Sequence, residues 1–151
     1  MNLTTHSEKE TGDAAHKLAA VIMQAKPRKH ALVFGLTGEL GAGKTLFIKA
    51  LAKSLGVSER VSSPSFLIFR TYKINLPQFQ KLHHVDTYRL KDPKDIVSLG
   101  FNTMISDSHS IMVIEWAEKI KTLLTKNTHW IIFHHSDKPT ERTIEGLPTT
   151  L

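Results

Sequence analysis

The sequence predicts an α/β fold of three layers, in which helices cover a mainly parallel central sheet that carries an antiparallel hairpin. Two observations predict this fold. An apolar segment, residues 31–36, leads into a glycine-rich loop and then into a helical pattern of apolar residues over 46–55. A second apolar segment, residues 111–114, ends in Glu115. Short continuous apolar runs of this kind are typical of parallel strands that are buried on both faces.

Composition narrows the class of protein. The 151 residues fit one domain, residues 1–151, with ordinary hydrophobic (40%) and charged (23%) fractions and no cysteine for disulfides or thiolate chemistry. No apolar run approaches the roughly 20 residues of a membrane span, and the polar N-terminus lacks the apolar core of a signal peptide. We therefore expect a cytoplasmic protein without membrane contact. The net charge of +6 favours anionic partners such as a nucleotide or RNA, although the basic cluster at 26–30 is more simply a solvated loop.

The first predicted helix begins at Ser7 and ends near Ala25. Ser7 and Glu10 form a capping box, in which a hydroxyl and a carboxylate satisfy free amide groups of the first turn. Apolar residues then recur at helical spacing. If the loop downstream binds a nucleotide, Thr11 or its neighbours in the first turn are candidate contacts for the base; a purely structural role is the alternative.

The best-defined motif is the glycine-rich loop that follows the first apolar strand. It reads G-x-x-x-x-G-K-[ST], the phosphate-binding loop of P-loop hydrolases and kinases, over Gly38-Glu39-Leu40-Gly41-Ala42-Gly43-Lys44-Thr45. Glycines let backbone amides curl around phosphate oxygens at the start of a helix. Lys44 is expected to meet the β- and γ-phosphates, and the Thr45 hydroxyl is expected to meet Mg²⁺. An ordinary glycine-rich turn is the alternative, but strand, loop and helix in this order favour a P-loop NTPase fold.

A hydroxyl-rich turn follows the second helix. Pro64 favours an extended conformation at Ser63, and neighbouring serines supply further hydroxyl groups. Such groups can order around a γ-phosphate and release after hydrolysis. Ser63, Pro64, Ser65 and Phe66 are therefore a candidate switch segment, with an ordinary turn as the alternative.

The remaining elements alternate between strands and short helices. Residues 66–74 and 81–86 are expected to form the two strands of the hairpin. Asp92 is placed as an N-cap and Pro93 as the first helical residue, which predicts a helix over 94–99. The later predicted elements are a short helix around 103–106, a strand over 111–115, a helical segment over 117–124, a strand over 129–134 and an edge strand over 142–147.

Two carboxylates at strand ends are candidates for the chemistry beside the phosphates. In open α/β sheets such groups lie at the carboxyl ends of strands. Glu115 follows four apolar residues, the pattern of a Walker B strand whose acid faces the metal; an exposed cap of the next helix is the alternative. Asp86 is expected to bind a metal-ligated water or to orient the attacking water, with a salt bridge to Arg89 as the alternative.

The histidines and Trp116 support no separate site. The nine histidines include two adjacent pairs, and members of a pair on one strand face opposite sides of the sheet. No H-E-x-x-H motif occurs, so a histidine metal site is not expected. Trp116 follows the carboxylate and is expected in the core, where it could also form a wall of the phosphate site.

In combination, these motifs resemble one family. The GELGAGKT loop, the S-P-S-F segment, H-V-D-T-Y-R and E-W occur in that order and spacing, and the resemblance covers nearly the whole chain, from residues 7–11 to Arg142. The chain is similar to the bacterial tRNA threonylcarbamoyladenosine biosynthesis ATPases, the TsaE (YjeE) family. Many families share the P-loop alone, whereas the ordered set is specific.

The resemblance implies an activity and partners. It implies a cytoplasmic P-loop ATPase that takes part in the modification of adenosine 37 in tRNAs that read codons beginning with A. In this family the ATPase binds a heterodimer of TsaB and TsaD, and TsaD transfers the threonylcarbamoyl group. ATP hydrolysis would drive or reset that complex between turnovers, so contact between this chain and tRNA is expected to be indirect.

The resemblance also implies roles for individual residues. It places residues 41–45 around the triphosphate of ATP and makes Thr45 and Glu115 the Mg²⁺ ligands. Asp86 would assist hydrolysis, residues 63–66 would form the switch, and Arg142 would be a late nucleotide contact. Two departures from the family pattern are visible: Ser65 replaces the usual threonine, and Ala15 replaces a frequent glycine.

Three other functions compete with this interpretation. A small-molecule P-loop kinase usually needs several arginines and a lid over its acceptor, whereas this chain has five dispersed arginines and no evident lid insertion. A GTPase would carry an N-K-x-D motif, which does not occur. A binding module that uses nucleotide only to order its switch is the third alternative, and an ATPase with slow hydrolysis and tight ADP binding would be hard to distinguish from it.

Overall fold

One mixed β-sheet forms the centre of the molecule. The computed structural model describes residues 1–138 and 140–151. Its seven strands are β1 (Leu3–Thr5), β2 (Leu32–Gly38), β3 (Phe69–Lys73), β4 (Lys81–Asp86), β5 (Ser110–Glu115), β6 (His129–His135) and β7 (Arg142–Glu145). They lie side by side in the order β1-β7-β6-β2-β5-β4-β3.

The strand directions agree with the predicted fold class. The four inner strands β6, β2, β5 and β4 are parallel. An antiparallel β3 closes one edge, so β3 and β4 form the predicted hairpin. At the other edge β7 is antiparallel to β6, and β1 pairs antiparallel to β7 and so runs in the direction of the inner strands. The mainly parallel α/β sheet with an antiparallel hairpin is therefore confirmed.

Helices cover both faces of this sheet. They are α1 (Glu8–Met23), α2 (Lys44–Ser54), α3 (Pro93–Ser98), α4 (Phe101–Ser106) and a 3₁₀ helix (Ala117–Leu123). Phe34 packs into the apolar core that α1 and α2 build on one face, while its neighbour Val33 packs into the core beneath α3, α4 and the 3₁₀ helix. This alternation follows from the two-residue period of a strand. No helix in the described part of the chain is long and apolar enough to cross a membrane.

The predicted helix boundaries follow from their capping residues. The Ser7 side chain accepts a hydrogen bond of 3.1 Å from the amide of Glu10, and the Glu10 carboxylate accepts one of 2.8 Å from the amide of His6. Asp92 caps α3 in the same way, accepting from the amide of Lys94 at 2.9 Å, and Pro93 is its first residue. These bonds satisfy amides that have no partner inside the helix.

The strand predicted over 66–74 is shorter than expected. Phe66 to Ile68 lie in a turn, in which the amides of Leu67 and Ile68 donate to the carbonyl of Pro64 at 2.8 and 2.7 Å. Ile68 takes the left-handed conformation with φ of 68°. The apolar side chains favour a strand locally, but the turn closes onto Pro64 before strand pairing begins at Phe69.

The prediction that residues 142–147 form an edge strand is wrong in part. The strand ends at Glu145, and β1 pairs along its outer side, with Thr5 opposite Arg142. β1 therefore forms the edge of the sheet. Its three residues, Leu3 to Thr5, are too few to carry a periodic signal from which it could be predicted.

Candidate nucleotide site

The glycine-rich loop connects β2 to α2 at the carboxyl end of the parallel strands. Gly38, Gly41 and Gly43 all have positive φ, at 134°, 79° and 98°. A Cβ atom at Gly38 would lie 2.2 Å from the carbonyl oxygen of Phe133, so this position excludes a side chain on grounds of space as well as conformation. The loop therefore presents its backbone at the start of α2, as a phosphate-binding loop requires.

The Lys44 side chain is held inside this loop. Its ammonium group donates to the carbonyl oxygens of Gly38 at 2.6 Å and Glu39 at 2.9 Å, and it lies 4.0 Å from the centroid of the Trp116 ring. Desolvation by burial lowers the pKa of Lys44, while the negative charges of Glu115 and nearby carboxylates oppose that shift. A desolvated cation beside backbone amides is poised to attract an anion.

Glu115 is buried at the end of β5, in contrast to the exposed helix cap that was the alternative. The residue as a whole is 3% exposed. One carboxylate oxygen, Oε2, accepts a hydrogen bond of 2.8 Å from the Thr45 hydroxyl, and the other, Oε1, lies 2.8 Å from Nε2 of His84. Two of the three residues that were predicted at the metal, Thr45 and Glu115, are thus directly connected.

Asp86 lies beside Glu115, because parallel pairing of β4 and β5 places the two residues opposite each other. Its Oδ2 accepts from the Ser63 hydroxyl at 3.0 Å, and its Oδ1 accepts from the amide of Tyr88 at 2.9 Å. Within residues 1–138 and 140–151, Asp86 makes no ion pair with Arg89, whose guanidinium lies over the Phe66 ring at 4.4 Å. The alternative interpretation, in which Asp86 forms a salt bridge with Arg89, is therefore wrong.

A cavity of about 400 Å³ brings most of the predicted residues together. The predicted residues that line it are Leu40, Gly41, Gly43, Lys44, Thr45, Ser63, Ser65, Asp86, Glu115 and Arg142. Trp116 forms part of the wall, as its position after the carboxylate suggested. The cavity thus combines a P-loop, a cation, two carboxylates and several hydroxyls, the set that binding of a polyphosphate requires.

Comparison with known proteins agrees with this geometry. The family model described as threonylcarbamoyl adenosine biosynthesis protein TsaE matches residues 5–144. The chain belongs to the TsaE family. This is a family of P-loop NTPase-like proteins, as the loop and its setting between β2 and α2 indicate.

Individual TsaE relatives resemble the chain over most of its length. The tRNA threonylcarbamoyladenosine biosynthesis protein TsaE of Rickettsia typhi is 39% identical over 123 residues, which are 81% of this chain and 78% of the relative. The Bacillus subtilis protein of the same name is 36% identical over 124 residues, covering 82% and 71%. The crystal structure of Bacillus subtilis YdiB superimposes with a TM-score of 0.73 at 28% identity, covering 95% of this chain and 82% of that one.

Some residues predicted for the TsaE site lie outside the cavity. Gly38 and Glu39 line a neighbouring groove, Ala42 and Pro64 are buried, and Phe66 is 84% exposed at the surface. Their contribution is to the shape of the loop and of the switch segment. Whether they touch a nucleotide stays a prediction.

Thr11 also lies outside the cavity. Its side chain is fully buried, and its hydroxyl donates to the carbonyl of Ser7 at 3.1 Å and lies 3.0 Å from the Thr5 hydroxyl. These bonds fasten the start of α1 to β1. This arrangement matches the structural alternative, and the neighbouring Glu8 is the residue of α1 that lines the cavity.

Arg142 approaches the loop from β7. A Cβ atom at Gly43 would lie 2.9 Å from Cδ and Nε of Arg142, so the guanidinium stem covers the glycine. Its Nε is buried and has no hydrogen-bond partner among the described residues. A buried donor without a partner beside a phosphate loop fits the nucleotide contact that the resemblance implied.

Four residues that line the cavity, and one that supports Glu115, were not predicted from the sequence. Glu8, Leu46, Tyr88 and Arg89 line the cavity, and His84 contacts Glu115 from outside it. A signal existed for His84, because it lies two residues before Asp86 on β4 and shares its face of the sheet. No local pattern marks Glu8, which reaches the cavity through the packing of α1.

Proposed function

We propose that this chain is a Mg²⁺-dependent ATPase that acts in the formation of threonylcarbamoyladenosine at position 37 of tRNAs that read codons beginning with A. Membership of the TsaE family supports the process, since relatives carry that name. The single observation that carries the chemistry is the placement of Lys44, Thr45, Asp86 and Glu115 around one cavity.

Binding of ATP would use the loop and two cations. Backbone amides of residues 38–45 would donate to phosphate oxygens at the N-terminus of α2, where the helix dipole favours negative charge. Lys44 would exchange its bonds to the carbonyls of Gly38 and Glu39 for bonds to the β- and γ-phosphates. The free Nε of Arg142 would add a hydrogen bond beside Gly43.

The donor set beside the loop fits Mg²⁺. Mg²⁺ prefers oxygen ligands and is usually held by one or two protein groups together with phosphates and water. The Thr45 hydroxyl and the Glu115 carboxylate lie 2.8 Å apart, and Asp86 is the neighbour of Glu115 across β4 and β5. When bound, the ion would neutralise charge that develops on the phosphates.

Asp86 is the group best placed to act on water. Its carboxylate lines the cavity and already accepts two hydrogen bonds, which fix its orientation. It would orient a water molecule whose oxygen forms a bond to the γ-phosphorus while the bond to the bridging oxygen of ADP breaks. Positioning and charge stabilisation supply most of the rate in such reactions.

The segment 63–66 would sense the state of the nucleotide. The Ser63 hydroxyl contacts both Asp86 and the Ser65 hydroxyl, at 3.0 and 2.9 Å. A γ-phosphate in the cavity would compete for these hydroxyls, and its loss would return the Ser63 hydroxyl to Asp86 and the Ser65 hydroxyl to Ser63. This coupling would report hydrolysis to the surface at Phe66.

A partner protein would recognise the surface around Phe66. Three large apolar side chains lie exposed close to the cavity: Phe66 is 84% exposed, Leu67 65% and Leu40 73%. Contiguous apolar patches at a protein surface often mark interfaces, and these three side chains would supply the apolar part of such a patch. We propose the TsaB–TsaD heterodimer as this partner, with indirect contact to tRNA and action in the cytoplasm.

The test measures phosphate release by the chain alone and with TsaB and TsaD. A large stimulation by these partners supports a partner-regulated ATPase. Dependence on a small acceptor instead would identify a kinase. If the two partner proteins modified tRNA for many turnovers without this chain, the proposed role would be wrong.

A further inference from the structure

His84 lies beneath the candidate metal site and is fully buried. It projects from β4, two residues before Asp86, and its Nε2 is 2.8 Å from Oε1 of Glu115, with side-chain exposures of 0% and 4%. Its other ring nitrogen, Nδ1, has no hydrogen-bond partner among the described residues. This histidine therefore makes a single directed contact, and that contact is to Glu115.

His83, the neighbour of His84 on β4, is an example of a buried histidine whose two ring nitrogens both have protein partners. His83 faces the other side of the sheet, where Nδ1 lies 2.8 Å from the Thr71 hydroxyl and Nε2 lies 3.1 Å from the Ser110 hydroxyl. Both of its nitrogens are satisfied. Buried polar groups are usually satisfied in this way, whereas the one protein partner of the His84 ring among the described residues is the Glu115 carboxylate.

The chemistry of the pair fixes the direction of the hydrogen bond. A carboxylate that holds a metal ion is ionised and can only accept, so in the metal-binding state Nε2 of His84 would carry the proton and donate to Oε1. Rotation of a glutamate carboxylate about its last bond is otherwise broad. With Oε1 taken by His84, the other oxygen, Oε2, is turned towards the Thr45 hydroxyl.

We propose that His84 is a positioning residue that orients the Glu115 carboxylate for the metal ion. The inference deepens the proposed function and rests on the assignment of Glu115 to the Mg²⁺ site. Donors behind a ligating carboxylate restrict its orientation and thereby strengthen metal binding. His84 touches neither nucleotide nor metal in this arrangement and acts only through Glu115.

Two substitutions separate orientation from packing. His84→Gln keeps an N–H donor near the position of Nε2, whereas His84→Met keeps similar bulk without a donor. The measurement is the affinity of Mn²⁺ for the complex of the protein with ADP, followed by the paramagnetic resonance of free Mn²⁺. Affinity for ADP in the presence of EDTA is measured in parallel, because loss of packing would lower it as well.

The expected result is selective. His84→Met should weaken Mn²⁺ binding about tenfold or more, the range typical for the loss of such an outer partner, with ADP affinity in EDTA unchanged to within about twofold. His84→Gln should recover most of the Mn²⁺ affinity. Wild-type Mn²⁺ affinity in His84→Met, or equal losses in both variants, would overturn the positioning role.

A measurement on the wild-type protein decides the question if His84→Met does not fold. Nitrogen resonances of ¹⁵N-labelled histidine should show His84, assigned by its absence in His84→Gln, with its proton on Nε2. A proton on Nδ1 would refute the proposal. If the wild type bound no Mn²⁺ with ADP, or Glu115→Gln left Mn²⁺ affinity unchanged, the metal site of the proposed function would itself be wrong.

Discussion

The ammonium group of Lys44 lies 4.0 Å from the centroid of the Trp116 ring and donates to two carbonyl oxygens of its own loop. A desolvated cation over an aromatic face gains electrostatic energy from the ring. To reach a triphosphate, Lys44 must leave the carbonyls and change its position over the ring. Nucleotide binding as proposed would therefore change the surroundings of Trp116, a fluorescent side chain.

We predict that ATP changes the fluorescence of Trp116. The Trp130→Phe variant isolates this signal, because the chain has two tryptophans. A change in emission on addition of ATP is expected in Trp130→Phe and not in Trp116→Phe. Lys44→Ala in the Trp130→Phe background should abolish both binding and signal, since the loop then lacks its cation. An equal response from Trp116→Phe would contradict the coupling.

Substitution of Glu115 should separate binding from hydrolysis. Glu115→Gln preserves the shape of the side chain but removes its charge, so ATP should still bind while phosphate release falls about a hundredfold or more. Glu115→Ala should have the same kinetic effect and also lower the free energy of unfolding by about 1–3 kcal/mol, because Thr45 and His84 lose a buried partner. Robust turnover by either variant in the presence of Mg²⁺ would exclude the proposed role.

The contact between Ser63 and Asp86 should hold the switch segment in place. Ser63→Ala removes the donor to Asp86, so amide hydrogen exchange at Leu67 and Ile68 is expected to accelerate in the nucleotide-free protein. Ser65→Ala is the matched control, because it leaves the bond from Ser63 to Asp86 intact. Equal exchange in wild type and Ser63→Ala would show that the turn onto Pro64 is stable without the carboxylate.

The sequence predicted the parts of the site that have a local signature. The loop from Gly38 to Thr45 is recognisable because each residue type has a steric or electrostatic reason at its position. Glu115 is recognisable because a charge directly after four buried apolar residues must meet a partner. Parallel pairing then brings such strand ends together, which is why both carboxylates were predicted beside the loop.

The sequence did not predict features that depend on packing between distant segments. Glu8 reaches the cavity only because α1 lies against α2, and β1 exists only because β7 offers an edge to pair with. The turn at Ile68 opposes the strand preference of its side chain and is fixed by hydrogen bonds to Pro64 and from the amide of Asp86. Local propensity cannot report contacts of this kind.

The buried His83 should make stability depend on pH between about 6.5 and 4. Desolvation, assisted by the positive charge of Lys81 and opposed by Asp107, lowers the pKa of His83 from 6.5 to about 4. The unfolded state therefore takes up a proton in this interval that the folded state does not, and the free energy of unfolding falls as pH falls. The pKa of Asp107, lowered to about 2 mainly by the His109 amide and the Ser110 hydroxyl, acts only below this interval.

His83→Asn provides the control for this pH dependence. Asparagine can still bond to the Thr71 hydroxyl but cannot titrate. Urea unfolding should show the variant less stable than wild type at pH 7, with a difference that narrows towards pH 4 by up to about 1.4 kcal/mol per pH unit. A difference that stays constant over this interval would show that His83 titrates normally.

At two glycines of the helices an added Cβ would make no close contact. Substitutions there test how backbone conformation alone affects the free energy of unfolding. Gly12 lies inside α1, where an added Cβ would meet only Cβ of Ala50, at an ordinary 3.8 Å. Gly12→Ala should therefore raise the free energy of unfolding by about 0.5–1 kcal/mol, because alanine loses less conformational entropy in a helix. Gly56 follows α2 with φ of 88° and has open space around the Cβ position.

Gly56→Ala should lower the free energy of unfolding by about 1–2 kcal/mol, because only the left-handed backbone resists the side chain. Urea unfolding of both variants measures the two effects in one protein. The two substitutions are expected to change the free energy of unfolding in opposite directions. If Gly12→Ala lowered it, the added Cβ would have to lie closer to Cβ of Ala50 than 3.8 Å. If Gly56→Ala were neutral, the end of α2 would accommodate the side chain without backbone strain, and the left-handed conformation at this position would not require glycine.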